Sequence, residues 1–243
     1  FINKSNSLKM CGRATLTKHD SDIEERFGAT FYTEDIERYN PIPSFNIVPT
    51  HPLPFIGQDD EKHIQMGLWG WNVPFGAEST KLVINARLEE VDLKKTFIPS
   101  LDHGRCIIPL DGYYEWIRND KQKIPYRIIL PDGELFSVAG LVREEVDSNG
   151  KFVKKLSIVT VKATDDIAFI HDRMPLILTK EEEKTWLDGS FEPDWKQYYS
   201  DPGRTIKKKY YKVSERINSV KNNDADLIKQ DDSPIYIQQS IFD

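Results

Sequence analysis

Residues 105–117 read RCIIPLDGYYEWI. Isoleucine, tyrosine and tryptophan crowd this stretch, as they do on a pleated, half-buried surface, so it reads as β structure. HIQMGLWGWNV at 63–73 and LVINAR at 82–87 carry the same signal. IPYRIIL (124–130), Pro131-Asp132-Gly133 and ELFSVAGLV (134–142) read as a hairpin with Asp-Gly at the turn. DSNG at 147–150 reads as a second turn leading into KLSIVTVKA (155–163). PIPSFNIVPT (41–50) and PLPFIGQ (52–58) predict short strands broken by prolines, and KKKYYKVS (207–214) predicts a last strand. Helices are expected over 17–27, with Thr17 or Asp20 near the N-cap, and over TKEEEKTWL (179–187) and EPDWKQYY (192–199). With no repeat and no long linker, the pattern predicts one α+β domain, mostly β. Residues 1–9 read as a leader, a tag remnant or a start assigned too far upstream, and residues from 229 on as a loosely attached tail.

The 243 residues suffice for a sizeable core. At 39% hydrophobic and 30% charged, the chain is too apolar for a disordered one. No apolar run approaches the roughly 20 residues that span a bilayer, and the N-terminus lacks the apolar core of a secretory signal. Two cysteines make no disulfide framework, which predicts the reducing cytoplasm. The 33 basic and 39 acidic residues give a net charge of −6. That is no general attraction to nucleic acid, yet it leaves room for a local basic groove.

Candidate chemistry starts at KMCGR, residues 9–13. A lone cysteine is commonly a small buried hydrophobe. If translation starts at Met10, however, methionine removal leaves Cys11 as the N-terminal residue. Its amine and thiol then sit on adjacent carbons, with reference pKa values of about 7.7–8.0 and 8.5. An aldehyde meets the amine to give a Schiff base, and the thiolate closes intramolecularly to a thiazolidine. Cys106 lies in an apolar strand and reads as core. Two cysteines about 95 residues apart and five scattered histidines offer no zinc spacing, so no metal or cofactor is expected.

His171, in FIHDRMPLIL, opens a polar trio inside an apolar run and is either a satisfied loop residue or a proton shuttle. Glu115, among Tyr113, Tyr114 and Trp116, is either a solvent-facing strand residue or a carboxylate in an aromatic pocket. Asn85 and Arg87 alternate with Ala86 and so share one strand face. Asn85 offers a two-way hydrogen bond there, and Arg87 a fork for phosphate. Arg13 and Arg173 are further phosphate candidates. Trp69 and Trp71 either stack on bases or pack in the core.

Taken together, MCGR (10–13), FNIVPT (45–50), WGWNVP (69–74), INAR (84–87), GRCIIPLDGYYEW (104–116), HDRMPLIL (171–178) and VSERINSVKNND (213–224) resemble the SRAP family of abasic-site processing proteins. The likeness runs from Met10 to about residue 228. It implies a compact, mostly β domain built on a barrel-like bifurcated sheet, with peripheral helices and a basic groove. It implies a sensor of abasic sites in single-stranded DNA, acting in the DNA damage (SOS) response as a monomer in the cytoplasm or on the nucleoid. Autoproteolytic, peptidase-like loss of Met10 is implied, followed by Schiff-base (lyase-type) chemistry and a thiazolidine crosslink through Cys11. By the same resemblance Asn85 positions the cysteine and the sugar. Glu115 deprotonates the amine and assists reversal, and His171 is acid and base on the sugar. Arg87 holds a phosphate, joined by Arg13 and Arg173, and Trp69 is a base-stacking wedge.

One departure stands out. FINKSNSLKM precedes Cys11, and with it attached the nitrogen is an amide that cannot form an imine. Two rival readings remain open at this point. One is an amidohydrolase or self-processing protease using Cys11, Glu115 and His171, which abasic DNA would not titrate. The other is a non-covalent single-strand binder, indifferent to mutation of Cys11.

Overall fold

The stretch at 105–117 folds as two strands, Arg105–Leu110 and Gly112–Arg118, and they enter different sheets. The computed structural model describes residues 11–39, 42–76, 79–118, 123–201, 204 and 206–234. At the break, buried Asp111 is anchored to the second sheet. Its Oδ1 accepts from Thr15 Oγ1 at 2.6 Å and from Arg127 at 3.2 Å, and its Oδ2 accepts the Thr17 amide at 2.7 Å. Asp111→Ala leaves the buried Arg127 guanidinium without its counter-ion. We expect a loss of about 3 kcal/mol, read as a lower urea midpoint at unchanged slope.

Arg105–Leu110 pairs antiparallel with Phe136–Val146 and with Pro52–Gly57. Pro52–Gly57 continues to Asp60–Trp69, and Phe136–Val146 to Phe152–Lys162. Phe152–Lys162 then closes in parallel onto Asp60–Trp69, Lys155 opposite Leu68 and Leu156 opposite Trp69. Five strands thus form a closed, barrel-like sheet, which removes the open edges a flat sheet would leave. Gly67 permits the closure, since a Cβ there would stand 2.8 Å from the Leu156 side chain. Asn85–Arg87 and Arg173–Pro175 add to the flanks of Phe152–Lys162.

The second sheet has the order Lys209–Lys212, Lys123–Ile129, Gly112–Arg118, Ala14–Leu16, Ser44–Ile47. The fold is therefore the expected single, mostly β domain, with five α-helices around it among the described residues. None of these helices is long and apolar enough to cross a membrane. The first helix is Asp20–Phe27. His19 is its N-cap, between the two expected caps, and Gly28 closes it at φ 63°.

Two expectations need correction. The Asp132-Gly133 turn forms, with Gly133 at φ 72°, but no hairpin flanks it. Lys123–Ile129 pairs with Gly112–Arg118 in one sheet, while Phe136–Val146 lies in the barrel. An Asp-Gly pair encodes a local reversal and is silent about which strand the chain meets next. The tail also begins later than residue 229. Val213 bridges Gln230, and the Asp231 amide donates to Lys212 O at 2.8 Å. The leader 1–9 and residues 235–243 lie outside the described residues.

Candidate active site

Glu115 stands in the central strand of the second sheet, and alternation along that strand separates its neighbours. Tyr113 belongs to the main core with Cys11, whereas Tyr114 and Trp116 join a separate cluster with Val213, Ile217 and Leu227. Only 2% of Glu115 is exposed, and its Oε1 accepts the Cys11 backbone N–H at 2.7 Å. Burial pushes the carboxyl up to about 8, against the opposing pull of the Cys11 hydrogen bonds and the charge of Arg118. The carboxyl is therefore poised to exchange a proton near neutral pH. Burial, and next the charge of Glu115, raises the Cys11 thiol well above its ordinary value.

Asn85 approaches from the barrel. Its strand runs parallel to Phe152–Lys162, which buries Ala86 and leaves Asn85 and Arg87 on the other face. Asn85 Nδ2 donates to Cys11 O at 3.2 Å. Cys11 is thus held at its nitrogen by one sheet and at its carbonyl by the other. Arg87 is half exposed and 3.9 Å from Glu90, which leaves its guanidinium at the surface.

His171 lies at the end of the turns that follow Thr164. Its Nδ1 lies 3.0 Å from the Arg173 N, 3.1 Å from Asp172 Oδ1 and 3.3 Å from Arg173 O, so a donor and two acceptors face this nitrogen. Burial lowers its pKa, partly offset by Asp172. Direct hydrogen bonds join Cys11, Glu115 and Asn85. The charge of Arg118 acts on both His171 and Glu115.

The other expected DNA contacts are placed differently. Trp69 is 1% exposed and its Nε1 donates to Ile84 O at 2.9 Å. Barrel closure puts it in the core, so a stacking wedge at this position is corrected to core packing, and Trp71 is equally buried. Arg13 donates to Asn46 Oδ1 at 2.6 Å and Ile217 O at 2.7 Å, while Asn46 Nδ2 donates to Ser219 O and Asn222 O. This pair fastens the 217–222 segment over the second sheet. Arg173 makes a forked pair with Glu89 at 2.6 and 3.0 Å and donates to Thr160 O.

Asn46, Arg118 and Tyr113 were not singled out from sequence. Only Tyr113 had a usable signal, its two-residue spacing from Glu115. Thr50, in FNIVPT, adopts φ 77°, a strained conformation for a β-branched residue, next to His51. Among the described residues no three His, Cys, Asp or Glu side chains gather as a metal set.

Residues 10–220 match the family model described as SOS response associated peptidase (SRAP). The chain is 38% identical over 226 residues to abasic site processing protein YoqW of Bacillus subtilis, covering 90% of this chain and 99% of that one. It is 29% identical over 228 residues to abasic site processing protein YedK of Escherichia coli, with 90% and 99% covered. A crystal structure of a protein from Bacteroides thetaiotaomicron is similar at TM-score 0.77 and 26% identity, covering 91% of this chain and all of that one.

Proposed function

The chain belongs to the SRAP family, and from that premise we propose that it processes abasic sites in single-stranded DNA by forming a covalent bond through Cys11. The observation that carries this reading is the hydrogen bond from the Cys11 main-chain nitrogen to buried Glu115. A carboxyl poised near neutrality has little use beside an amide. Beside an α-amine it removes the proton that would block attack on an aldehyde.

The reactive form in this reading begins at Cys11, after hydrolysis of the Met10–Cys11 bond. The amine adds to C1′ of the ring-opened sugar. The resulting carbinolamine loses water to give an imine, and the Cys11 sulfur adds to the imine carbon while the thiol proton passes to the imine nitrogen. The sum is aldehyde plus aminothiol giving thiazolidine plus one water. Asn85, on Cys11 O, holds the nucleophile still. His171 exchanges protons with the sugar oxygen as the ring opens. Arg87 draws a flanking phosphate, while Arg13 and Arg173 order the segments around the site. The protein acts as a monomer at the nucleoid, and the domain runs from residue 10 through the Gln230 and Asp231 contacts.

The test mixes protein beginning at Cys11 with single-stranded DNA carrying one abasic site. A heat-stable adduct on a denaturing gel is expected, with a mass equal to the two reactants less one water. Intact DNA is expected to give none. Adduct with both DNAs, or with neither, contradicts the reading. Arg87→Ala is expected to weaken binding to abasic and intact single strands alike. It should also reduce the slope of log affinity against log salt by about 0.7, the value for one phosphate contact on a single strand. An unchanged slope would remove Arg87 from the interface.

A further inference from the structure

Tyr113 carries a polar atom that the chemistry above leaves unused. The residue is 1% exposed, and its hydroxyl has no hydrogen-bond partner. Such an orphan is costly, on the order of 1–3 kcal/mol, and unusual in a folded interior. It lies two residues from Glu115 on the same strand face, opposite Ala14 on the neighbouring strand. The titratable groups that act on it are Cys11, Glu115 and Asp166. Asp166 sits in the Thr164–Ile170 turns that lead into His171. Tyr113 thus shares a strand face with Glu115 and a core cluster with Cys11 and with Ile167 and Ile170, which precede His171.

We propose that the Tyr113 hydroxyl is a substrate-binding donor, hydrogen-bonded to the sugar hydroxyl set free at C4′ when the abasic ring opens. This rests on the covalent reading above. The choice of ligand atom follows from the surroundings. Phosphate is held by cations, whereas the groups that act on this phenol are a thiol and two carboxyls. A neutral donor in a buried place suits a neutral oxygen, and once the C1′ oxygen has left as water the C4′ hydroxyl is the sugar oxygen that remains outside both ring and phosphate. Burial and the neighbouring acids hold the phenol well above its ordinary pKa. It therefore stays protonated and contributes a hydrogen bond without transferring its proton.

Tyr113→Phe, in protein beginning at Cys11, tests this with two aldehydes. With abasic single-stranded DNA the variant is expected to form adduct about tenfold more slowly. With butanal, which has no hydroxyl, the rates of variant and parent are expected to be equal. The thermal midpoint should not fall, since the substitution removes only an unpartnered group. A parental rate on abasic DNA overturns the proposal. So does equal slowing on both aldehydes, because a merely structural phenol would affect them alike. If the parent protein reacts with butanal and not with abasic DNA, the covalent reading fails and this assignment falls with it.

Discussion

Cys11→Ala, in a chain beginning at residue 11, is expected to give no heat-stable adduct with abasic single-stranded DNA, a loss of at least about a thousandfold. The amine remains, so imine formation persists. What disappears is the intramolecular thiol attack that converts a hydrolysable imine into a closed ring. Two further variants separate the nucleophiles. Cys11→Ser should give a complex that borohydride traps and heat destroys. Protein acetylated at the Cys11 amine should give neither product. Heat-stable adduct from the alanine variant at the parental rate would remove Cys11 from the chemistry. The buried thiol has a raised pKa in the chain with residues 1–10 attached. The attached form is accordingly expected to react poorly with thiol reagents as well.

Glu115→Gln is expected to slow adduct formation by about 10²- to 10⁴-fold, the usual range for a positioned general base. The parent rate should rise with pH through the ionisation of this group, near 8 while Cys11 is an amide. Glutamine should abolish that rise. A variant with the parental pH profile would show that another group takes the proton.

The same carboxyl makes a stability prediction with a definite sign. Its pKa rises from an ordinary 4.5 to about 8 on folding. Between those values the folded chain binds more protons than the unfolded chain, so stability falls as pH rises. The cost is absent below about pH 4 and complete above about pH 8, on the order of 5 kcal/mol. The glutamine variant should therefore unfold at a higher temperature than its parent at pH 9, and not at pH 4. In protein beginning at Cys11 an ammonium replaces the amide beside Glu115 and favours its charged form, so this pH dependence should shrink. Equal pH dependence of parent and glutamine variant would contradict the raised pKa.

How much of this could be read beforehand depends on the range of the interaction. Asn85 and Arg87 on one face, with Ala86 buried between them, follow from the two-residue period of a strand. The strands at Ser44–Ile47, Phe152–Lys162 and Lys209–Lys212 are equally local matters of composition. Partner choice is not. The Asp132-Gly133 turn looks like a hairpin from within, and only the whole fold sends its two flanks to different sheets.

The arginines teach the same lesson. Arg13 and Arg173 have the chemistry to hold phosphate. Yet Arg13 is engaged by a carbonyl 204 residues away and Arg173 by a carboxylate 84 residues away. Such engagement leaves no trace in the residues on either side. Trp69 is buried for a comparable reason: closure of Phe152–Lys162 onto Asp60–Trp69 is a long-range pairing that no local pattern announces.

The sequence by itself determined the class of fold, the seven motifs of the SRAP family in order, and the identity of Cys11, Asn85 and Glu115 as chemically suited residues. These rest on residue type and short-range period, which the chain carries at every point. Only the tertiary structure decided that the nitrogen of Cys11 meets Glu115 across 104 residues, and that the carboxyl is buried deeply enough to hold its proton to about pH 8. It alone also left the Tyr113 hydroxyl without a partner beside them. Desolvation and hydrogen-bond geometry belong to the packed interior, where strands remote in sequence are brought within a few ångströms of one another.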